Sequence, residues 1–382
     1  MLAALHDPQA IRHAGRELLS LALIDSRNHL LQRLAQGERP VARRLALQAV
    51  WHQEHWIACH VQRGRGEDGD ADAPRLAGSE PALAAWLRAD DAALPEADRV
   101  RELLAQTLDI TLDLLATTRE DDVALHVFRQ CLQHEDRLCE TLDEQLRLQA
   151  PPARAQRSAL WLPAQRWLLG STDNASAAAG FVPWNERWAH AVALPEFEID
   201  AQPVNWAQYV EFAEDRGHDR AELWSAEGWA WAQAQGRRAP SHVEQLRGAV
   251  VVMRGQGLAQ AAAAQPVMHV TRHEAEAWCR WAGRRLPTEP EWELAASTAA
   301  SRGFVWGDVL EWVAGSARLW PGAPKTAPPG TLDAMLEAPT TTVGVLRGAS
   351  FATRTRWRHP KARRFAAPHT DTAFCGFRSC AL

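Results

Sequence analysis

The stretch Gln265–Ala296, QPVMHVTRHEAEAWCRWAGRRLPTEPEWELAA, constrains the fold of this chain more than any other. From Thr271 to Trp281 the apolar residues Ala275, Ala277, Trp278 and Trp281 recur at helical spacing, so one face packs inward. Gly283 is placed to end that helix as a C′ residue, with Arg284 and Arg285 just beyond it. Thr288 reads as the N-cap of a second helix, and Glu291 three residues on completes a capping box. Pro290 falls in the first turn, where a missing N–H does no harm.

Ahead of this stretch the chain reads as helix. Ala14–Ala35 carries an apolar face that includes Leu19, Leu23, Leu30 and Leu34, with Gly37 and Pro40 ending it. A second helix is expected from Ala42 to about His60, and helical periodicity returns across Arg99–Ala116 and Val123–Leu148. Between them Arg63–Pro81 is polar and rich in Gly and Asp, a surface loop. Four long helices with one long middle connection predict a four-helix bundle over 1–150, and Pro151 and Pro152 mark the boundary to a second domain over 151–382. There Ala191–Ile199 reads as strand, Asn205–Ala213 as a short helix, and Ala259–Ala264 as a low-complexity connection. Ala317–Val343 reads as loop, and GVLRGASFATR and Phe374–Leu382 supply the closing strands.

At 382 residues, with 46% hydrophobic and 23% charged, the chain is of ordinary globular composition and long enough for two or three cores. A net charge of −5 gives no reason to expect nucleic acid or an anionic membrane as partner. No apolar run reaches transmembrane length, and Met1–Gly15 holds no signal-peptide core, so a cytoplasmic protein is expected. Six cysteines without a CxxC pair agree with free thiols in a reducing compartment. The outlier is 18 Trp against one Tyr, which predicts cores built on indole rings and few phenolic hydroxyls for chemistry.

The motifs LLGS (Leu168–Ser171), PVNWAQYVEFAED (Pro203–Asp215), ELWSAEGWAWAQ (Glu222–Gln233), RRLPTEPEWELAA, VLRGASFATR (Val345–Arg354) and the terminal GFRSCAL stand in one order along the chain. Together they resemble the ergothioneine sulfoxide synthase group, and within it selenoneine synthase most closely. The resemblance implies a DinB-type helical bundle in front of a formylglycine-generating-enzyme-like domain, the C-type-lectin-like α+β fold of sulfatase-modifying factors. It also implies a mononuclear non-haem Fe(II) enzyme that uses O2 to join a thiol or selenosugar donor to the imidazole carbon of hercynine, a trimethylated betaine. In that family three bundle histidines hold the iron, one on the second helix and two in an HxxxHxE run on the fourth. Residues four apart share a helix face, so two imidazoles can meet one metal while open positions remain.

Against that pattern the run here reads His134-Glu135-Asp136-Arg137-Leu138-Cys139-Glu140. His134 and Glu140 are kept, but Leu138 stands at the second ligand position. Aligning Gln53-Glu54 and Trp56-Ile57 with the family places Gln48 at the remaining one. The catalytic tyrosine implied before Pro-Gly is Trp320, and the single Tyr209 lies in a helix that looks structural. Arg364 stands where relatives have Asn and Ala366 where an aromatic is common. Arg364, Arg378, Trp320 and Arg137 are the expected substrate contacts. The tryptophans 184, 188, 229, 231, 306, 312 and 320 include candidate cation–π partners for a trimethylammonium and otherwise belong to cores.

Two readings remain open at the centre. Iron can shift by one helical turn and use His52 or His55 with His134, or WHQEHW is an amphipathic stretch whose histidines bond locally. Glu135, Asp136 and Glu140 read either as an acid–base cluster or as an ion-paired face. Cys131, three residues before His134, reads as a nucleophile or as a small buried hydrophobe. Cys375 and Cys380 lack the close pairing of a formylglycine-generating copper site. The arginines from Arg347 to Arg378 read as a substrate-facing set or as a basic surface paired with Asp371 and nearby acids. The functional expectation is a synthase-family member with reduced or lost parental activity. The alternative is a metal-free, non-catalytic paralogue that binds a small molecule or a related protein.

Overall fold

The computed structural model of the protein describes residues 2–36, 39–63, 83–172, 180–324 and 343–382. Its first part is helical: α1 (Pro8–Arg12), α2 (Arg16–Ala35), α3 (Pro40–Arg63), α4 (Leu83–Arg88), α5 (Ala97–Thr117) and α6 (Asp122–Leu146). α2 ends at Ala35, before Pro40 as expected, and Pro40 also opens α3, because proline is tolerated in a first turn whose N–H groups have no intrahelical partner. Asp121 caps α6 by accepting from the Ala124 N–H at 2.8 Å. The long helices α2, α3, α5 and α6 pack on one another around two apolar clusters. One gathers Leu30, Leu45, Leu104 and Leu138, and the other Leu19, Ile57, Leu115 and Leu132. Of the loops expected over Arg63–Pro81 and Ala317–Val343, residues 64–81 and 325–342 lie outside the described residues.

The second part mixes strands and helices: β1 (Leu160–Leu162), β2 (Gln165–Leu169), β3 (His190–Leu194), β4 (Phe197–Ile199), α7 (Trp206–Glu214) and α8 (Ala226–Ala234) come first. β5 (Val243–Gln245), β6 (Val250–Arg254), β7 (Gly257–Ala261), α9 (Arg272–Trp281) and α10 (Glu289–Thr298) follow, and β8 (Leu310–Ser316), β9 (Gly344–Arg347), β10 (Arg363–Ala366) and β11 (Cys375–Phe377) close the chain. The largest sheet has the order β10-β9-β8-β11, antiparallel except for the β8–β11 pair. β1 pairs with β4 and β2 with β3, and β5, β6 and β7 form an antiparallel meander. Ala259–Ala261, expected as connection, are strand: Ala259 pairs with Val252, and ladder bonding to β6 outweighs alanine's weak strand preference.

The expected capping box of Thr288 with Glu291 is present, the structure adds a second of Thr271 with Glu274, and Gly283 follows α9 at φ +64°. The indole-rich composition is spent on the core. Trp206, Trp292 and Trp312 are fully buried, and the Trp312 N–H donates to the Val270 carbonyl at 2.8 Å while that of Trp292 donates to Glu311 at 2.9 Å.

Helix α6 buries four carboxylates, Glu135, Asp136, Glu140 and Glu144, which would be untenable without partners. Arg27 of α2 answers Glu135 through two bonds of 2.8 and 2.9 Å. The other three are met from the far end of the chain. Arg356 donates to both Asp136 oxygens at 2.6 and 2.8 Å and to Asp25 of α2 at 2.7 Å, while Arg354 also pairs with Asp25. Arg364 of β10 spans Glu140 and, at 3.1 Å, Glu144. The arginines of this region are thus buried and paired rather than a basic surface, and Asp371 is instead held by Arg237 and Ser241. Arg356→Ala leaves Asp136 buried without its main partner, so it should cost about 3–5 kcal/mol in urea unfolding, with Arg356→Lys in between.

Candidate functional site

A cavity of about 1010 Å³ opens between α6 and the strand-bearing part of the chain. One wall is the face of α6 from Val123 to Glu140, with Trp56 and His60 of α3 beside it. Opposite lie the segment 181–187 and residues of the β9–β10 region. The 181–187 segment is pinned on several sides. The Phe181 N–H donates to the Arg12 carbonyl at 2.7 Å, Asn185 donates to the Arg363 carbonyl at 2.8 Å, and Glu186 accepts from Arg12 at 2.7 Å. Aromatic rings form a row along the cavity: His126 lies 5.1 Å from Phe181, Phe181 lies 6.0 Å from Trp357, and the Trp357 N–H reaches Asp136 at 2.7 Å. Seven arginines line the cavity against three acids, Asp136, Glu140 and Glu186, and each acid already holds an arginine. The wall is therefore suited to an anionic or zwitterionic guest.

The expected metal centre sits just behind this wall. His52 of α3 and His134 of α6 stack face to face, with centroids 3.6 Å apart and planes 8° from parallel. Parallel imidazoles hold their nitrogen lone pairs in two separate planes. An ion at about 2.1 Å from one nitrogen, in its ring plane, lies far out of the plane of the other. The two rings as arranged do not chelate. His55 does not help, since it stacks on Trp51 at 4.8 Å and meets Trp56 edge-on at 4.6 Å. Leu138 is buried in the cluster that holds Leu45 and Ala49, and half-buried Gln48 lies between those two in sequence. No group of three or more His, Cys, Asp or Glu side chains able to hold a metal occurs among the described residues. His134 is also absent from the cavity wall, which α6 forms instead with Gln130, Gln133 and Arg137 around it. The donor set does not fit a mononuclear Fe(II) site.

Of the four expected substrate contacts, Arg137 and Arg364 line the cavity. Arg137 stands 3.8 Å from Glu140, whose tight bonds go to Arg364, Ser350 and Thr353. Arg378 and Trp320 are placed elsewhere. Arg378 is fully buried, bonding Glu311 and the Asp200 and Val305 carbonyls, as a guanidinium deep in a core requires. Trp320 lies under Arg363, 4.0 Å from ring centroid to guanidinium carbon, and against Gly170, where a β-carbon would meet its ring at 2.2 Å. Glu135, Asp136 and Glu140 are ion-paired, not a free acid–base set. Burial, then the Glu135 charge, drives the Cys131 thiol far up from its usual range, so it offers no thiolate. Cys375 and Cys380 are free and buried, and burial likewise pushes both thiols up. Tyr209 is fully buried, 3.4 Å from His218, a core hydroxyl.

Sequence reading missed His60, His126, Phe181, Arg187 and Trp357 as cavity residues. The two histidines carried a signal: each lies eight residues from His52 or His134 on the same helix. The other three come from segments whose approach only the tertiary fold reveals.

Residues 149–308 match the sulfatase-modifying factor enzyme 1-like domain. The hercynine oxygenase of Mycolicibacterium smegmatis is 30% identical over 353 residues, covering 75% of this chain and 78% of that protein. That of Mycolicibacterium thermoresistibile is 30% identical over 360 residues, covering 84% of this chain and 75% of that protein. This chain belongs to the hercynine oxygenase family. A formylglycine-generating enzyme from Streptomyces coelicolor is 31% identical over a shorter span, 41% of this chain and 52% of that protein. At 84% of this chain, the hercynine oxygenase likeness extends beyond residues 149–308 into the helical part as well. No helix among the described residues is long and apolar enough to cross a membrane.

Burial sets the electrostatics around the cavity of this family member. It pushes His126 and His359 down to about 4, helped by Arg187 at the first and Arg12 at the second. Burial and then the Glu140 charge raise Glu144 to about 8. The unfolded chain protonates its histidines below pH ~6.5 while the folded one does not, so stability should fall as pH drops from ~6.5 toward 4. Glu144 acts oppositely: its folded form keeps a proton, and that contribution is lost as pH rises from ~4.5 through 8. Urea midpoints measured across pH 4–9 should form a dome, with His126→Gln flattening the acid limb and Glu144→Gln the alkaline one.

Proposed function

We propose that this hercynine oxygenase homologue keeps a small-molecule cleft but has lost the parental Fe(II)- and O2-dependent reaction. The observation that carries this is the parallel His52–His134 stack, which does not line the cavity, with Leu138 packed in an apolar cluster of the helices. Moving the ion by one turn onto His52 does not rescue the site, because the stack denies it two converging nitrogens. The implied tyrosine position is likewise spent on packing, with Trp320 wedged between Arg363 and Gly170.

What remains is binding chemistry. A betaine of the hercynine kind carries a carboxylate and a trimethylammonium. Arg137 offers the first a guanidinium, and Trp357 and Trp56 offer the second an aromatic face. On motif likeness the nearest parental reaction is C–Se bond formation on hercynine, with C–S formation as its sister, so both donors belong in the assay. Purified protein loaded with Fe(II) and desalted should retain only substoichiometric iron and consume no O2 with hercynine and either a thiol or a selenosugar. Calorimetry should show one-to-one binding of hercynine, weakened about tenfold in Arg137→Ala, the ~1.4 kcal/mol of one charge-assisted bond. One equivalent of iron that disappears in His134→Ala, together with O2-dependent turnover, would overturn the reading.

A further inference from the structure

The end of the cavity away from Arg137 is used neither by the metal centre nor by the betaine pose, and its chemistry differs from that of the other end. Along α6 the wall reads Val123, Ala124, His126 and Val127 first, and Gln133, Asp136, Arg137 and Glu140 last. From Val123 to Arg137 the helix advances about 21 Å. The facing wall follows the same gradient. At the polar end Thr353 and Arg364 bond Glu140, and Trp357 bonds Asp136. At the other end stands the run Phe181-Val182-Pro183-Trp184, set opposite His126 by the 5.1 Å approach of the Phe181 ring. Val123 is 77% exposed and Glu140 only 3%, so the apolar end is the mouth and the polar end lies within.

The charged side chains at the mouth are engaged with the protein itself. Arg12 holds Glu186 at 2.7 Å, Arg119 reaches Asp121 at 3.2 Å, and Arg187 donates to the Val182 carbonyl at 3.0 Å. His126, whose basicity is lowered chiefly by burial, presents an uncharged ring at neutral pH. A cavity of about 1010 Å³ has the volume of a cleft for a whole drug-sized ligand, and a betaine held at Arg137 and Trp357 leaves the mouth unfilled.

We propose that Val123, Val127, Phe181 and Pro183 form an apolar subsite at the mouth, so that the cleft takes an amphiphilic ligand with a carboxylate head at Arg137 and a ring-ended hydrocarbon tail between the two apolar walls. The proposal rests on the reading of the cavity as a small-molecule cleft and adds to it the length and polarity of the guest. The exposed Val123 side chain leaves water when the tail covers it, and a ring at the tail's end can meet Phe181 edge-on, as Trp357 already does.

The test titrates the full chain by calorimetry with phenylacetate, phenylbutyrate, phenylhexanoate and phenyloctanoate, each with its ring at the chain end, and follows the methyl NMR signals of Val123 and Val127. Binding should be one-to-one and tighten roughly threefold per added methylene, and only the longer members should move the two valine signals. Val123→Asp falls in the first turn of α6, where a carboxylate suits the helix dipole, and should flatten the dependence on chain length. Val127→Ser should do the same. Arg137→Ala should instead weaken every member by a similar factor, because head and tail contacts this far apart add independently. Thermal melts of each variant separate loss of binding from loss of fold. The subsite is overturned if no member binds, if affinity does not change with chain length, or if the dependence survives both valine variants or leaves the valine signals unmoved. Hercynine titrated into the same samples keeps the two readings apart. Hercynine binding with no gain along the series refutes the subsite alone, and length-dependent binding of the series without hercynine binding refutes the betaine reading alone.

Discussion

The buried carboxylates of α6 are the constraint to which the rest of the molecule answers. A helix that places Glu135, Asp136, Glu140 and Glu144 out of water demands cations of fixed geometry, and arginine alone offers a planar fork that meets both oxygens of a carboxylate. One such cation, Arg27, is supplied within the helices, and the others come from the segment between β9 and β10 and from β10 itself. Those contacts draw the C-terminal segment across the face of α6, and the space left between them is the cavity. One of the arginines that close the structure, Arg364, also lines that cleft.

Much of this was legible in the sequence where the deciding physics is local. The four long helices, the Thr288–Glu291 capping box and the turn at Gly283 follow from periodicity and cap chemistry, and the structure has them with helix ends shifted by a few residues. Ala259–Ala261 were misread because ladder bonding from β6 is invisible in an alanine-rich run. The stacking of His52 on His134 was not legible, since it depends on how two helices are rotated against each other.

The placement of the arginines shows the same division. Their number near the C-terminus suggested a surface or a pocket, but composition does not say which carboxylate each will meet. Arg364 turned out to serve both: it pins β10 to α6 and borders the cavity. Arg378 serves the core alone, tied to Glu311 where no solute can reach it. Counting charges finds the class of contact, and only tertiary geometry finds its partner.

The clamp from β10 to α6 also bears on how the chain can be divided. The likeness to sulfatase-modifying factors begins at residue 149, just past the end of α6, and invites a cut there. Such a cut would leave Asp136 and Glu140 on one fragment and Arg356 and Arg364 on the other, parting the ion pairs that hold those buried charges. A border drawn by ancestry is therefore not a border in the energetics. Drift in either half is answerable to the other.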